Sequence, residues 1–123
     1  AGFAVSPGTT PAVVAGCAAA GLPLLPGAST VSESMTLHEA EFTAMKFFPA
    51  SAAGGTAFVK SLASPLPQIT ICPTGGISTE TAPEWLALPN VRCLGGSWVA
   101  PQKLIAGQQF ATIETLAREA AAL

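Results

Sequence analysis

The sequence contains no aspartate, a single histidine and five basic residues against seven glutamates, so charged side chains fill only 10% of its 123 positions. Without a basic run, and with a net charge of -2, neither nucleic acid nor an anionic membrane surface is expected as the main partner. Cysteine is equally sparse. Cys17, Cys72 and Cys93 are odd in number and far apart, form no C-x-x-C and have only His38 for company, which excludes a disulfide framework and a metal site. They read as small buried hydrophobes in a reducing compartment. No apolar run approaches the ~20 residues of a membrane span. The N-terminus has no basic segment leading into an apolar one, so a cytoplasmic protein is expected.

What the chain does have is apolar content and punctuation. Half of its residues are hydrophobic, enough for one core-rich domain over residues 1–123. A short β-prone run repeatedly ends in a Pro/Gly turn and passes into a helical pattern, at Ser6-Pro-Gly8, Leu25-Pro-Gly27, Phe48-Pro49, Pro73-Thr-Gly-Gly76 and Gly95-Gly-Ser97. The spacing fits one βα unit and is too long for hairpins, so the sheet should be parallel. The implied strands run from about Phe3 to Ser6, Leu22 to Leu25, Ala44 to Phe48, Ile69 to Cys72 and Val91 to Leu94. Helix starts are expected at Thr10-Pro11, at the capping box Thr30-Val-Ser-Glu33 and at a second box, Thr81-Ala-Pro-Glu84. A closing helix from Thr112 to Ala122 places Ile113, Leu116, Ala117 and Ala120 on one face. Two architectures accept such units, a doubly wound sheet and part of a (β/α)₈ barrel. The barrel is favoured because candidate polar residues fall at the C-terminal end of every strand and not at one switch point.

One residue violates the apolar pattern of its strand. In Thr43-Ala-Met-Lys-Phe-Phe-Pro49 a period of two puts Ala44, Lys46 and Phe48 on one face and Met45 and Phe47 on the other. An amine held inside a barrel among Phe and Pro loses hydration of its charged form, and only the neutral form attacks a carbonyl, which makes Lys46 a candidate for imine formation. The competing reading is a lysine whose stem packs while its head snorkels to the rim. Lys60 and Lys103 look like solvated surface residues. Thr74-Gly-Gly-Ile-Ser78 and Gly95-Gly-Ser97 present backbone N–H groups with no Cβ in the way, at the last two strands, where barrels hold phosphate. Alternatively these are two tight turns needing positive φ. Ser6-Pro7-Gly8 and Leu25-Pro26-Gly27 read as stiff rim turns. Cys72 and Cys93 read as interior filler, His38 as a surface or helix-packing residue, and Trp85 and Trp98 as packing anchors, with Trp98 close enough to a turn to line a mouth.

Taken together, Ser6-Pro-Gly8, LLPGASTVSE over 24–33, Lys46-Phe-Phe-Pro-Ala50, CPTGGIS over 72–78 and LGGSWV over 94–99 closely resemble the 2-keto-3-deoxy-6-phosphogluconate (KDPG) and 4-hydroxy-2-oxoglutarate aldolases, class I lyases, across essentially the whole chain. The resemblance implies a (β/α)₈ TIM barrel, of which this chain supplies about five C-terminal βα units. It also implies a homotrimer that cleaves KDPG to pyruvate and glyceraldehyde 3-phosphate through a lysine imine, without metal or cofactor. By position Lys46 matches the imine lysine. Thr74, Gly75, Gly76, Gly95, Gly96 and Ser97 match the phosphate and carboxylate end, and Pro7 and Phe48 match residues packed around the pyruvyl group. The family's first three βα units have no counterpart in this sequence, nor do its glutamate base and the arginine that holds the pyruvyl carboxylate. No glutamate here falls at an expected strand end, Glu33 and Glu41 being the nearest in sequence to the second and third strands. Two rival readings follow: a fragment that binds phosphorylated or keto-acid ligands without turnover, and a structural piece that completes a barrel with another chain.

Overall fold

Proline, glycine and capping residues set the element boundaries in the computed structural model, which describes residues 1–123. The strands are β1 (Ala4–Val5), β2 (Leu24–Leu25), β3 (Gly27–Ala28), β4 (Ala44–Phe47) and β5 (Thr70–Pro73). The helices are α1 (Pro11–Ala19), α2 (Val31–Glu39), α3 (Gly55–Leu62), α4 (Ala82–Leu86), α5 (Gln102–Ala106) and α6 (Phe110–Ala120), with a 3₁₀ turn at Ser97–Val99. Every pairing is parallel, β1 with β2 and β3 with β4 with β5. Except at β2 and β3, which only Pro26 separates, strands alternate with helices in chain order. They form a wall of two parallel sheets, one two-stranded and one three-stranded, joined across Pro26, with α3 and α4 supplying buried residues to one face.

The caps work largely as expected. The Thr10 side chain accepts the Val13 N–H, with Pro11 at the start of α1. At α2 the capping box is complete: Thr30 Oγ1 accepts the Glu33 N–H at 3.2 Å, and Glu33 Oε2 accepts those of Thr30 at 3.0 Å and Ser29 at 2.7 Å. Such a cap is worth about 1 kcal/mol. The second expected box does not form. Thr81 is already helical and its hydroxyl turns backwards, accepting the Ser78 N–H at 3.0 Å. Thr81 therefore closes the loop ahead of α4 and leaves the helix start uncapped.

The Leu25-Pro26-Gly27 segment is strand and not a turn. Pro26 has no N–H and breaks the ladder, so β2 pairs with β1 and β3 pairs with β4, yet the Pro26 carbonyl still accepts the Lys46 N–H at 2.8 Å. Gly27 is demanded by proximity: a Cβ there would lie 2.4 Å from the backbone C and O of Pro7. Ser6 and Thr9 tie this approach together, with Ser6 Oγ accepting the Gly27 N–H at 3.3 Å and Thr9 Oγ1 donating to the Gly27 carbonyl at 3.0 Å. The fifth expected strand, Val91 to Leu94, is reduced to two isolated parallel bridges, Ile71 with Val91 and Thr74 with Gly95. An extra residue causes this, since two residues separate the bridged positions on β5 and three separate them on the neighbouring run.

Burial is one-sided. Met45, Phe47, Ile71 and Val91 face the helices and pack with Val59, Leu62 and Trp85, and the Phe47 and Phe58 rings stack at 5.0 Å. Asn90 is buried in this layer, its side-chain amide donating to the Val59 carbonyl at 2.9 Å. The opposite strand face, carrying Ala44, Lys46, Thr70 and Cys72, is not buried. Neither α1 nor α6 contains a buried residue, Ala117 on α6 is exposed, and Phe3 and Phe110 are each 62% exposed. The accessible surface of 7200 Å² exceeds the roughly 6,100 Å² expected of a compact monomer of this mass. The wall is thus covered by helices on one face only.

Two glycines should respond oppositely to alanine. Gly27→Ala forces backbone apart at Pro7 and should lower stability by about 1–3 kcal/mol. Gly16→Ala, exposed on α1 with nothing within 4 Å of the new Cβ, should raise it by about 0.5–1 kcal/mol. Denaturation midpoints of the two variants check both signs.

Candidate active site

Register places the lysine. Lys46 is paired with Gly27 on one side and Cys72 on the other, in the centre of the wall and on its uncovered face. Because Gly27 is pressed against Pro7, the Ser6-Pro7-Gly8 bend lies beside Lys46 with only one strand between them. The Lys46 Nζ stands 4.8 Å from the centroid of the Phe48 ring, two residues on and on the same face. The single ion pair in the chain joins Arg118 to Glu114 on α6, so the Lys46 ammonium has no carboxylate partner.

The first glycine turn grows directly out of the β4 end. Ala50 N–H donates to the Thr74 carbonyl at 2.9 Å, Ser51 N–H to the Gly75 carbonyl at 3.1 Å and Ser51 Oγ to the Gly76 carbonyl at 2.9 Å. Three successive carbonyls are therefore held by the turn after Phe48, while the Gly75 and Gly76 N–H groups make no hydrogen bond within the chain. Only glycine suits these positions. Gly75 and Gly76 have φ of 103° and 74°, a Cβ on Gly75 would meet the Phe48 ring at 3.2 Å, and one on Gly76 would meet Ser51 at 2.7 Å. Ser51 was not among the residues expected at the site. Its signal is a hydroxyl two residues past Pro49, at the end of the lysine strand.

The second glycine turn joins the first. Thr74 and Gly95 are bridged, the Gly95 N–H donates to the Pro73 carbonyl at 2.9 Å, and a Gly95 Cβ would lie 2.6 Å from Thr74 Oγ1. Gly96 is covered by Trp98, whose ring would lie 1.5 Å from a Cβ there. Trp98 is thereby an anchor under the turn, and Trp85 lies in the core beside it, as packing residues. The N–H groups of Gly96 and Ser97 also make no hydrogen bond within the chain. Lys46, Phe48, Thr74, Gly75, Gly76 and Gly95 thus form one continuous rim, with Gly96 and Ser97 at its far end and Pro7 at its near end. Free N–H dipoles in that arrangement suit an anion, and an unpaired amine beside them has the chemistry to attack a carbonyl.

A carboxylate is missing from this rim. All seven glutamates lie in helices or turns and none on a strand. Glu33, the acid that follows β3, is committed to its cap, and the Ser29 backbone N–H, with help from Thr30, holds its carboxyl below the usual range. Glu41 follows α2, ahead of β4, so it precedes the strand whose C-terminal end forms the rim. Glu80 is held low by the Ser78 hydroxyl. No group of three or more His, Cys, Asp or Glu side chains could hold a metal ion. Among the neighbours of Lys46, Cys72 is a thiol and not a competing thiolate. Burial pushes it up to about 12, the nearby Cys93 adds to this, and Thr74 and the Lys46 charge oppose it.

These features define an α/β chain whose candidate site runs along the C-terminal ends of parallel strands, the usual position of sites in such folds. Known proteins narrow the class. The sequence profile of the KDPG and KHG aldolases matches residues 1–116, and the chain belongs to that family. It is 44% identical over 120 residues to a 2-dehydro-3-deoxy-phosphogluconate aldolase of Pseudoalteromonas atlantica, covering 98% of this chain and 56% of that protein. It is 42% identical to the KHG/KDPG aldolase of Escherichia coli K12, covering 96% and 55%. Among solved structures, a KDPG aldolase from Legionella pneumophila, with pyruvate captured as a covalent carbinolamine, superposes with a TM-score of 0.91 at 40% identity over 98% of this chain and 58% of that one. The chain therefore spans about half the length of the curated relatives it matches.

The Cys72 thiol supplies a test by pH. Because its folded value lies above the ordinary 9.0, folding retains a proton that the unfolded chain releases; stability should be unaffected below about pH 9 and fall as pH rises toward about 12. At pH 8 iodoacetamide should alkylate the exposed Cys93 well before Cys72, as mass mapping of the modified peptides would report.

Proposed function

We propose that this chain carries the nucleophile and the phosphate-binding half of a class I aldolase that cleaves KDPG to pyruvate and glyceraldehyde 3-phosphate, with 4-hydroxy-2-oxoglutarate as a second substrate. The observation that carries the reading is the unpaired Lys46 amine on the uncovered strand face, continuous with two glycine turns in which the N–H groups of Gly75, Gly76, Gly96 and Ser97 are free. The Lys46 amine adds to the C2 keto group, and the resulting carbinolamine loses water to give an imine. The protonated imine accepts the electron pair released when C3–C4 breaks, while the C4 hydroxyl gives up its proton. The Phe48 ring, its centroid 4.8 Å from the amine, offers it a cation–π contact. The N–H groups of Gly75, Gly76, Gly96 and Ser97, with the Thr74 hydroxyl nearby, suit an anionic end of the substrate.

Proton transfer at the C4 hydroxyl and at the pyruvyl C3 is assigned to groups outside this chain, because every glutamate here lies away from the strands. The uncovered strand face supports the same division. Three further βα units would close the wall into a (β/α)₈ barrel and supply the base, and the closed domain would assemble as a cytosolic homotrimer. A second reading, an inactive piece that binds phosphorylated or keto-acid ligands, is favoured by the same lack of a base.

Reduction with borohydride in the presence of pyruvate should leave a stable adduct on Lys46, and Lys46→Arg should abolish it while the protein stays folded. An adduct mapped to Lys60 or Lys103 would refute the assignment. Thr74→Val, which removes the hydroxyl without adding bulk, should weaken a phosphorylated substrate far more than a non-phosphorylated keto acid; equal losses would mean the turn serves only the fold. Adding a chain with the first three βα units should restore turnover by about 10²–10⁴-fold, the usual contribution of a positioned acid-base group. Full turnover by the 123-residue chain as a cooperative monomer would contradict the division of labour.

A further inference from the structure

The extra residue between the two isolated bridges has a consequence beyond ending the sheet. With Ile71 opposite Val91 on the helix-facing side, strict alternation would turn Cys93 toward the helices and away from Cys72. The bulge breaks that alternation. Only Cys72 and Pro73 lie between the bridged positions of β5, against Arg92, Cys93 and Leu94 on its neighbour. The Arg92 N–H donates to the Ile71 carbonyl at 3.4 Å and the Gly95 N–H to that of Pro73 at 2.9 Å, while those of Cys93 and Leu94 donate to nothing. Bulges re-aim side chains in this way. Here Cys93 lines the same hollow of about 270 Å³ as Cys72, together with Leu25, Ala44, Met45, Thr70, Ile71 and Arg92. Both residues are free thiols, Cys93 exposed and Cys72 half-buried. The third cysteine, Cys17, lies on α1.

We propose that Cys72 and Cys93 form a reversible dithiol site that closes to an intramolecular disulfide on the wall next to Lys46. Cys72 and Cys93 stand on adjacent runs between two parallel bridges, and strands so bridged lie about 4.8 Å apart, a spacing comparable to the roughly 4.4–6.8 Å that the Cα atoms of a disulfide span. Cys93 is also near enough to be among the causes that hold the Cys72 proton on. The oxidant is a peroxide. The exposed Cys93 sulfur attacks the peroxide O–O bond and becomes a sulfenic acid, releasing water. The Cys72 sulfur then displaces the sulfenic hydroxyl, which leaves as a second water with the Cys72 proton. Two thiols and one hydrogen peroxide thus give one disulfide and two waters, and a dithiol reductant reverses the change by exchange. Cys72 is the register partner of Lys46, so the cross-link changes the strand against which the amine stands. This site is independent of the aldolase reading and requires none of its substrates.

The experiment treats the full chain bearing Cys17→Ala with hydrogen peroxide and follows intact mass and non-reduced peptide maps, in buffer and in 8 M urea. The expected result is a loss of two hydrogens, a linked peptide pair containing Cys72 and Cys93, recovery with dithiothreitol, and closure at least about tenfold faster in buffer than in urea, because the fold holds the thiols together. Cys93→Ser should abolish the two-hydrogen loss. Equal rates in buffer and urea, intermolecular linkage, or stepwise oxygen addition to Cys93 without linkage would each overturn the proposal.

Discussion

Everything at this site depends on parallel strand register, above all the pairing of Gly27 with Lys46 and of Lys46 with Cys72. A parallel ladder brings the C-terminal ends of successive strands to one edge, so the residues that follow each strand become neighbours without being close in sequence. The Ser6-Pro-Gly8 bend, the Phe48-Pro49 turn and both glycine turns meet there for that reason alone. A one-residue slip of β4 would move Lys46 into the helix layer and bring Met45 or Phe47 out, at the cost of most of the buried core. Met45 at 0% and Phe47 at 2% exposure are what hold the lysine in place.

The same geometry explains the asymmetry of the surface. The helix-facing layer is closed by large apolar side chains, whereas the lysine face carries Ala44, Thr70 and Cys72 and stays uncovered. The proposed function gives this face to a small ligand, and its side chains are accordingly small or polar and do not form a filled apolar layer. In that proposal, βα units from outside these 123 residues would cover the face. They would also give a place for the carboxylate that this chain does not put at the rim.

Much of the fold was legible because its signals are local. The period of two around Lys46, the Thr10-Pro11 start and the Thr30–Glu33 box each depend on residues a few positions apart, and each appears where the pattern puts it. The misreadings have non-local causes. Leu25-Pro26-Gly27 carries the composition of a turn, but Gly27 is required by the approach of Pro7 from another unit. The box at Thr81 fails because Ser78 captures the threonine hydroxyl first. The last strand dissolves into two bridges because of one extra residue, invisible until its partner strand is placed beside it. Of the rim, the lysine and glycines announced themselves by being out of place in apolar or tight settings. Ser51, an ordinary serine in sequence, is recognised only from its bond to Gly76.

Lysine as the covalent nucleophile is the claim on which the rest of the functional account stands, and its most direct measurement is spectroscopic. The chain, labelled with ¹⁵N at the lysine side chains and completed by the first three βα units, would be mixed with pyruvate carrying ¹³C at C2. The account predicts a one-bond ¹³C–¹⁵N coupling in a carbinolamine or imine resonance, present in the native chain and lost in Lys46→Arg. A coupling that survives that substitution, or pyruvate that binds with its C2 bonded to no lysine nitrogen, would contradict it.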